Sequence, residues 1–244
     1  MSEQVNPDVA IVDYGMGNLF SVKHACEHVG LRATITRQKK DILSAGAVIL
    51  PGVGAFGVAM ESLAKLDLIE PIKDVEASGT PLIGICLGMQ LFMRESHEFG
   101  RYKGLGLLDG EVVGLRDMVG ASNDLKVPQI GWNSIYLTTL QLAGLAHEEV
   151  PPMWQASLLS RIRAGEHMYF VHSYYCRPED SSVELSRTRY GGIEFCSSVQ
   201  RKNLAGFQFH PERSGEAGLQ IYRNLAVSVR GSLEKERSVE TARG

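Results

Sequence analysis

The sequence has no apolar run near the roughly 18 residues of a membrane span. Its first residues, Met1-Ser-Glu-Gln-Val-Asn-Pro7, have neither the basic nor the apolar stretch of an export signal. It holds only four cysteines, Cys26, Cys86, Cys176 and Cys196, at spacings that fit neither a metal site nor a disulfide framework. Free thiols without an export signal predict a cytoplasmic protein with no metal. The net charge is −3, which argues against a nucleic-acid surface or a polybasic membrane patch, so no nucleic acid and no membrane are expected as partners. There are no internal repeats. What is present is ordinary: 244 residues, 44% apolar and 22% charged, enough for one domain with a full core. That domain is expected over residues 8–229, followed by a polar, frayed tail over 230–244.

Short apolar runs alternate with helical spacings through the first half. Val9–Val12, Ala47–Leu50 and Leu82–Ile85 read as buried strands, Arg32–Ile35 as a further strand, and Leu19–His28, Gly57–Leu66 and Leu68–Ala77 as helices. The alternation predicts an α/β fold, an open and mostly parallel sheet flanked by helices. After Gly100 the texture changes. Gly104–Leu108, Glu111–Val113, Lys126–Val127 and Ile135–Leu137 predict antiparallel strands added to the sheet edge. Thr139–Arg163 is a mixed excursion with a short helix expected at Ala156–Ile162. His167–Tyr175 reads as one strong strand, Val183–Tyr190 and Glu194–Gln200 as a hairpin around Gly191-Gly192, and Asn203–Phe209 as a last strand before a helix over Ala217–Val229. The pair Gly15-x-Gly17 lacks the third glycine of a dinucleotide fingerprint, since Phe20 stands in its place.

The chemistry concentrates at Pro81–Gln90. A strand, then Gly84-x-Cys86-x-Gly88, then an apparent helix from Met89 to Glu95 is the nucleophile-elbow pattern with sulfur in place of a hydroxyl. The flanking glycines let strand and helix approach closely, and a helix start lowers a thiol's pKa. Pro51-Gly-Val-Gly-Ala-Phe56 follows another buried strand and can present backbone N–H groups to an oxyanion. Near the other end, Gln208-Phe-His-Pro-Glu212 places His210 and Glu212 two apart. In an extended segment they share a face, and a carboxylate beside an imidazole fixes its tautomer and stabilises the imidazolium.

Taken together and in order, Pro51–Phe56, Gly84–Gln90 and Gln208–Glu212 resemble the triad, or class I, glutamine amidotransferases. Three further stretches, Asp13–Leu19, Lys126–Asn133 and Tyr169–Tyr174, are similar to one branch, the glutaminase subunits of imidazole glycerol phosphate synthases in histidine biosynthesis. Gln129 stands where that branch is expected to have His. The resemblance implies that Cys86 attacks the side-chain amide of glutamine, that His210 moves the protons, and that Glu212 orients His210. It implies an oxyanion hole from Leu87 and Gly52 or Val53, and a glutamine site of Gln90, Glu98, Ser173 and Tyr174. It implies a heterodimer with a (β/α)8 cyclase/synthase subunit that receives the ammonia, with Asn18, Trp132 and Arg213 near the interface, and no cofactor. Similar subunits also serve synthases that amidate surface sugars, so that partner stays open here. A γ-glutamyl hydrolase and an inactive scaffold are rival readings. The Asn18 and Trp132 motifs argue against the first, and the complete Cys86–His210–Glu212 set against the second.

Overall fold

The apolar runs of the first half pair with one another. The computed structural model describes residues 6–118, 125–137 and 151–243, with side chains through residue 231. In chain order the first elements are β1 (Val9–Val12), α1 (Leu19–His28), β2 (Ala33–Thr36), α2 (Lys39–Ser44), β3 (Ala47–Gly52), α3 (Phe56–Lys65), α4 (Ile69–Ser78) and β4 (Leu82–Cys86). A one-turn helix α5 (Leu87–Leu91) leads into β5 (Met93–Ser96), β6 (Tyr102–Lys103) and β7 (Leu108–Gly114). The remainder is β8 (Gln129–Ser134), α6 (Pro152–Gln155), β9 (His167–His172), β10 (Tyr174–Pro178), β11 (Glu184–Tyr190), β12 (Ile193–Arg201), β13 (Leu204–Phe207) and α7 (Gly215–Arg243).

The main sheet has seven strands in the order β11-β12-β13-β4-β3-β1-β2. Pairing is parallel from β2 to β13, and the β11–β12 hairpin adds two antiparallel strands beyond β13. Successive residues of a strand point to opposite faces. Val9, Ile11, Ile49 and Ile85 therefore pack on one side with Val22 of α1 and Ile221 and Leu225 of α7. Ala10, Val12, Val48 and Leu50 pack on the other with Phe56 and Leu63 of α3 and Ile72 of α4. Each such Val, Leu, Ile or Phe side chain, fully removed from water, contributes about 1.5–3 kcal/mol. This places the carboxyl ends of β3, β4 and β13 side by side, the edge at which open α/β sheets carry their sites.

Several local expectations change. The apolar run after Gly88 is not a long helix: α5 stops at Leu91 and Met93–Ser96 is strand. That strand pairs with β7, whose backbone groups it satisfies. The strands expected between Gly104 and Leu137 do not extend the main sheet. β10, β7, β5 and β6 make a separate four-stranded sheet, and β8 pairs with β9 as a two-stranded one. Lys126-Val127 is irregular, and near Ile135–Leu137 only Tyr136 bridges, to Arg187. The strand at His167–Tyr175 is broken at Ser173, so β9 and β10 serve different sheets. In the excursion, residues 138–150 lie outside the described residues. Its helix is Pro152–Gln155, fixed by buried Trp154, whose Nε1–H donates to the Leu185 carbonyl at 2.7 Å. Residues 156–162 are turns that Asn224 of α7 holds through the carbonyls of Leu158 and Ser160. The tail expected to fray continues α7 to Arg243, since its Leu, Glu, Lys and Ala favour helix.

Candidate active site

The site is built outward from Cys86, the last residue of β4. Its backbone has φ 54° and ψ −110°, a conformation L residues rarely hold. The strain is enforced by close packing. A Cβ on Gly84 would lie 2.7 Å from the Gly88 backbone, and one on Gly88 would lie 1.7 Å from the Leu50 carbonyl oxygen. Both glycines therefore have the close-approach role expected of them. Because α5 is little more than one turn, its dipole adds less at the sulfur than a long helix would.

His210, the expected base, stands on the neighbouring strand's extension. Past β13, Pro211–Arg213 form a 3₁₀ turn, so the segment is not extended as expected. Pro211 favours that turn through its fixed φ. The turn still brings His210 and Glu212 together: His210 Nδ1 is 2.8 Å from Glu212 Oε1, both side chains nearly fully buried. With Nδ1–H donated to the carboxylate, Nε2 is the nitrogen left to serve the thiol. Burial alone would lower the His210 pKa. The neighbouring Cys86 sulfur and the Glu212 carboxylate outweigh it and raise the imidazole to about 10. Nε2 completes no hydrogen bond of ordinary geometry among the described residues.

The sheet register puts the expected oxyanion segment beside the nucleophile, with Gly52 of β3 paired to Cys86. Val53, the next residue, is 43% exposed, and Leu87 is buried directly after Cys86. Ser173 and Tyr174 lie at the break between β9 and β10, and Glu98 is buried, accepting from the Phe56 N–H. Burial raises the Glu98 pKa, and the Phe56 N–H partly offsets it. Gln90 is buried beside them. Its amide nitrogen donates to the Tyr174 carbonyl at 2.9 Å and to Gln208 Oε1 at 3.0 Å, which orders the wall around Ser173 and Tyr174. The other three thiols are structural: burial raises Cys26 to about 12 and pushes Cys176 and Cys196 up as well.

Residues 10–229 match the profile of the family described as glutamine amidotransferase class-I. This chain belongs to that family. Among its relatives, the HisH subunit of imidazole glycerol phosphate synthase from Geobacter metallireducens is 41% identical, with 90% of this chain and 98% of that protein covered. The corresponding HisH subunit of Archaeoglobus fulgidus is 43% identical, covering 91% and 99%. Among solved structures, a glutamine amidotransferase crystal structure is similar with a TM-score of 0.64 at 17% identity, covering 91% of this chain and 98% of that one. No helix among the described residues is long and apolar enough to cross a membrane.

In this amidotransferase the residues expected at a partner interface are exposed. Trp132 is 54% exposed and meets Tyr169 edge-on at 6.0 Å, and the Arg213 guanidinium lies 4.4 Å over the same ring. Asn18 is exposed as the N-cap of α1, accepting from the Ser21 N–H. Phe20, Ser21, Glu212 and Arg213 line one open groove of about 570 Å³ between α1 and α7. Gln129 is fully buried, and its amide donates to Asn133 Oδ1 at 2.8 Å, so its place is inside β8 rather than at the surface.

Sequence reasoning gave no role to two site residues. Gln208, fully buried, donates from Nε2 to Cys86 Sγ at 3.7 Å and so ties Cys86 to Gln90. It sat inside the motif read for His210, two residues before it, where the same alternation puts it on the His210 face. His172 donates from Nδ1 to the Tyr174 carbonyl at 2.8 Å, and burial holds its pKa down to about 4, so it is a neutral second imidazole. Glu95, His97 and Glu111 bring ligand atoms within 4.8 Å of one another. Arg101 pairs with Glu95 and Arg177 with Glu111, so the carboxylates that would hold a cation are already taken.

Proposed function

We propose that the chain is the glutaminase subunit of an imidazole glycerol phosphate synthase, working in histidine biosynthesis. The observation that carries this is the meeting of Cys86, held at a strained elbow, with a buried His210–Glu212 pair, on a chain about 40% identical to HisH subunits over their whole length.

In this reading the Cys86 thiolate adds to the side-chain amide carbon of glutamine. The oxyanion formed is held by the backbone N–H of Leu87 and that of Gly52 or Val53. His210 gives its proton to the nitrogen, the C–N bond breaks, and ammonia leaves a thioester behind. Water then attacks the thioester while His210 takes its proton. Glutamate departs and the thiol is restored. Glu212 holds the imidazolium formed at each step. Glu98 pairs with the ammonium of the substrate, with Ser173, Tyr174 and the Gln90-ordered wall around the rest.

Ammonia released to water near neutral pH is protonated and lost as a nucleophile. We infer that it passes to a (β/α)8 cyclase subunit docked over Asn18, Trp132 and Arg213, the exposed residues beside the Cys86 edge. The free subunit is then nearly idle, and partner plus nucleotide ligand shift Pro51–Gly54 toward the competent geometry.

The test is glutamate release from glutamine by the purified chain, alone and with the cyclase and its nucleotide ligand, against Cys86→Ala. Strong stimulation lost in the variant is the expected result. Turnover independent of any partner would instead mean a simple hydrolase.

A further inference from the structure

The turn between β1 and α1 has no role in the steps above, yet it forms the floor of the oxyanion segment. Asp13 anchors it, accepting from the Gly15 N–H at 3.0 Å and pairing with Arg37 at 2.9 Å. From there the turn touches the segment residue by residue. A Cβ on Gly52 would lie 2.2 Å from the Tyr14 hydroxyl oxygen, and one on Gly54 would lie 2.6 Å from the end of Met16. One on Gly17 would lie 3.5 Å from the Pro51 carbonyl oxygen. The turn ends at Asn18, the exposed cap of α1.

Tyr14 is 1% exposed, and its hydroxyl has no hydrogen-bond partner among the described residues. A buried hydroxyl left unpaired costs about 1–3 kcal/mol, which a phenylalanine of the same shape would not. Burial and the nearby Cys86 both raise the Tyr14 pKa, so the group keeps its proton and remains a donor. Tyr14 packs with Leu50 and Leu87 on the α3 side of the sheet, whereas Cys86 packs with the opposite face. In a planar trans peptide the N–H and C=O point in opposite directions. Turning the Val53 N–H toward Cys86 therefore turns the Gly52 carbonyl away from it, toward the side where Tyr14 waits.

We propose that Tyr14 is a positioning residue of the glutaminase: its hydroxyl donates to the Gly52 carbonyl when the Gly52–Val53 amide faces its N–H to Cys86. The bond is absent from the resting subunit and forms in the oxyanion-binding arrangement, so it favours the second over the first. The inference rests on the glutaminase reading given above.

The test is Tyr14→Phe, assayed with the cyclase subunit and its nucleotide ligand. The stimulated kcat falls roughly three- to tenfold, the worth of one hydrogen bond, with KM for glutamine unchanged and Tm equal to or above wild type. Binding of glutamate γ-semialdehyde, whose thiohemiacetal with Cys86 carries the oxyanion, weakens by the same factor. Alkylation of Cys86 by iodoacetamide, which makes no oxyanion, keeps its rate. Wild-type stimulation with an equal kcat in Tyr14→Phe overturns the inference. So does a lower kcat that comes with a lower Tm and slower alkylation, since that is packing alone. A wild-type chain without partner-stimulated turnover overturns the glutaminase–partner reading itself, and this inference with it.

Discussion

Glu98 accepts a 2.5 Å hydrogen bond from the backbone N–H of Phe56, 42 residues away in the chain. The carboxylate thus sits at the first residue of α3, just beyond Pro51–Gly54, where a negative charge is favoured. The proposed substrate ammonium site and the proposed oxyanion segment share this one contact.

Replacing Glu98 by Gln removes the charge and keeps the shape. KM for glutamine is expected to rise about 10- to 100-fold, the worth of a charged hydrogen bond at about 1.5–3 kcal/mol, with a smaller change in kcat. Because burial raises the Glu98 pKa, the wild-type KM begins to climb on acidification at a higher pH than an ordinary carboxyl would give. Steady-state kinetics from pH 5 to 8 check both, and Glu98→Gln flattens the pH dependence.

The His210 pKa is raised in the folded chain to about 10, above the ordinary 6.5. The stability this gives is complete below about pH 6.5 and is lost as pH rises toward 10. Tm measured across that window should fall in wild type. It should fall less in Glu212→Gln, which removes one of the two negative partners. The same substitution should cut stimulated turnover by about 10²–10⁴-fold.

Cys86 holds a positive φ that glycine accepts without strain. Cys86→Gly and Cys86→Ala should both be inactive. In urea unfolding the glycine variant should be the more stable of the two by about 1 kcal/mol. Equal midpoints would mean that the elbow stores no strain.

Trp132 buries little in the free chain but is braced by Tyr169, itself covered by Arg213. Trp132→Ala is expected to leave Tm unchanged and to weaken cyclase binding by at least about 2 kcal/mol, as an aromatic hot spot does. Titration calorimetry against the cyclase reads this directly.

The first half of the fold was legible because β1, β3 and β4 open on continuous apolar runs closed by turns, with the shorter Ala-Thr-Ile-Thr of β2 between the first two. The elbow was legible because only glycine tolerates the contacts at 84 and 88. Period and composition failed where pairing decided the outcome. Met93–Ser96 has residues a helix accepts, but β7 offered it unpaired backbone groups. Ser173 looks like any strand residue, yet the chain changes sheets there. The His210–Glu212 contact was anticipated for the wrong reason, since a 3₁₀ turn rather than an extended segment closes it. Tyr14 and Gln208 escaped notice because their meaning lies in contacts across the chain, Gln208 with a residue 122 positions earlier.

That separation has a bearing on how the protein is made. β13, which leads to His210, inserts between β12 and β4, and all three must be present for the site to close. During synthesis Cys86, on β4, emerges from the ribosome well before His210, which follows β13. A truncated or stalled product carries Cys86 with nothing to move its proton. Turnover therefore waits until synthesis has passed Glu212 and β13 has taken its place beside β4.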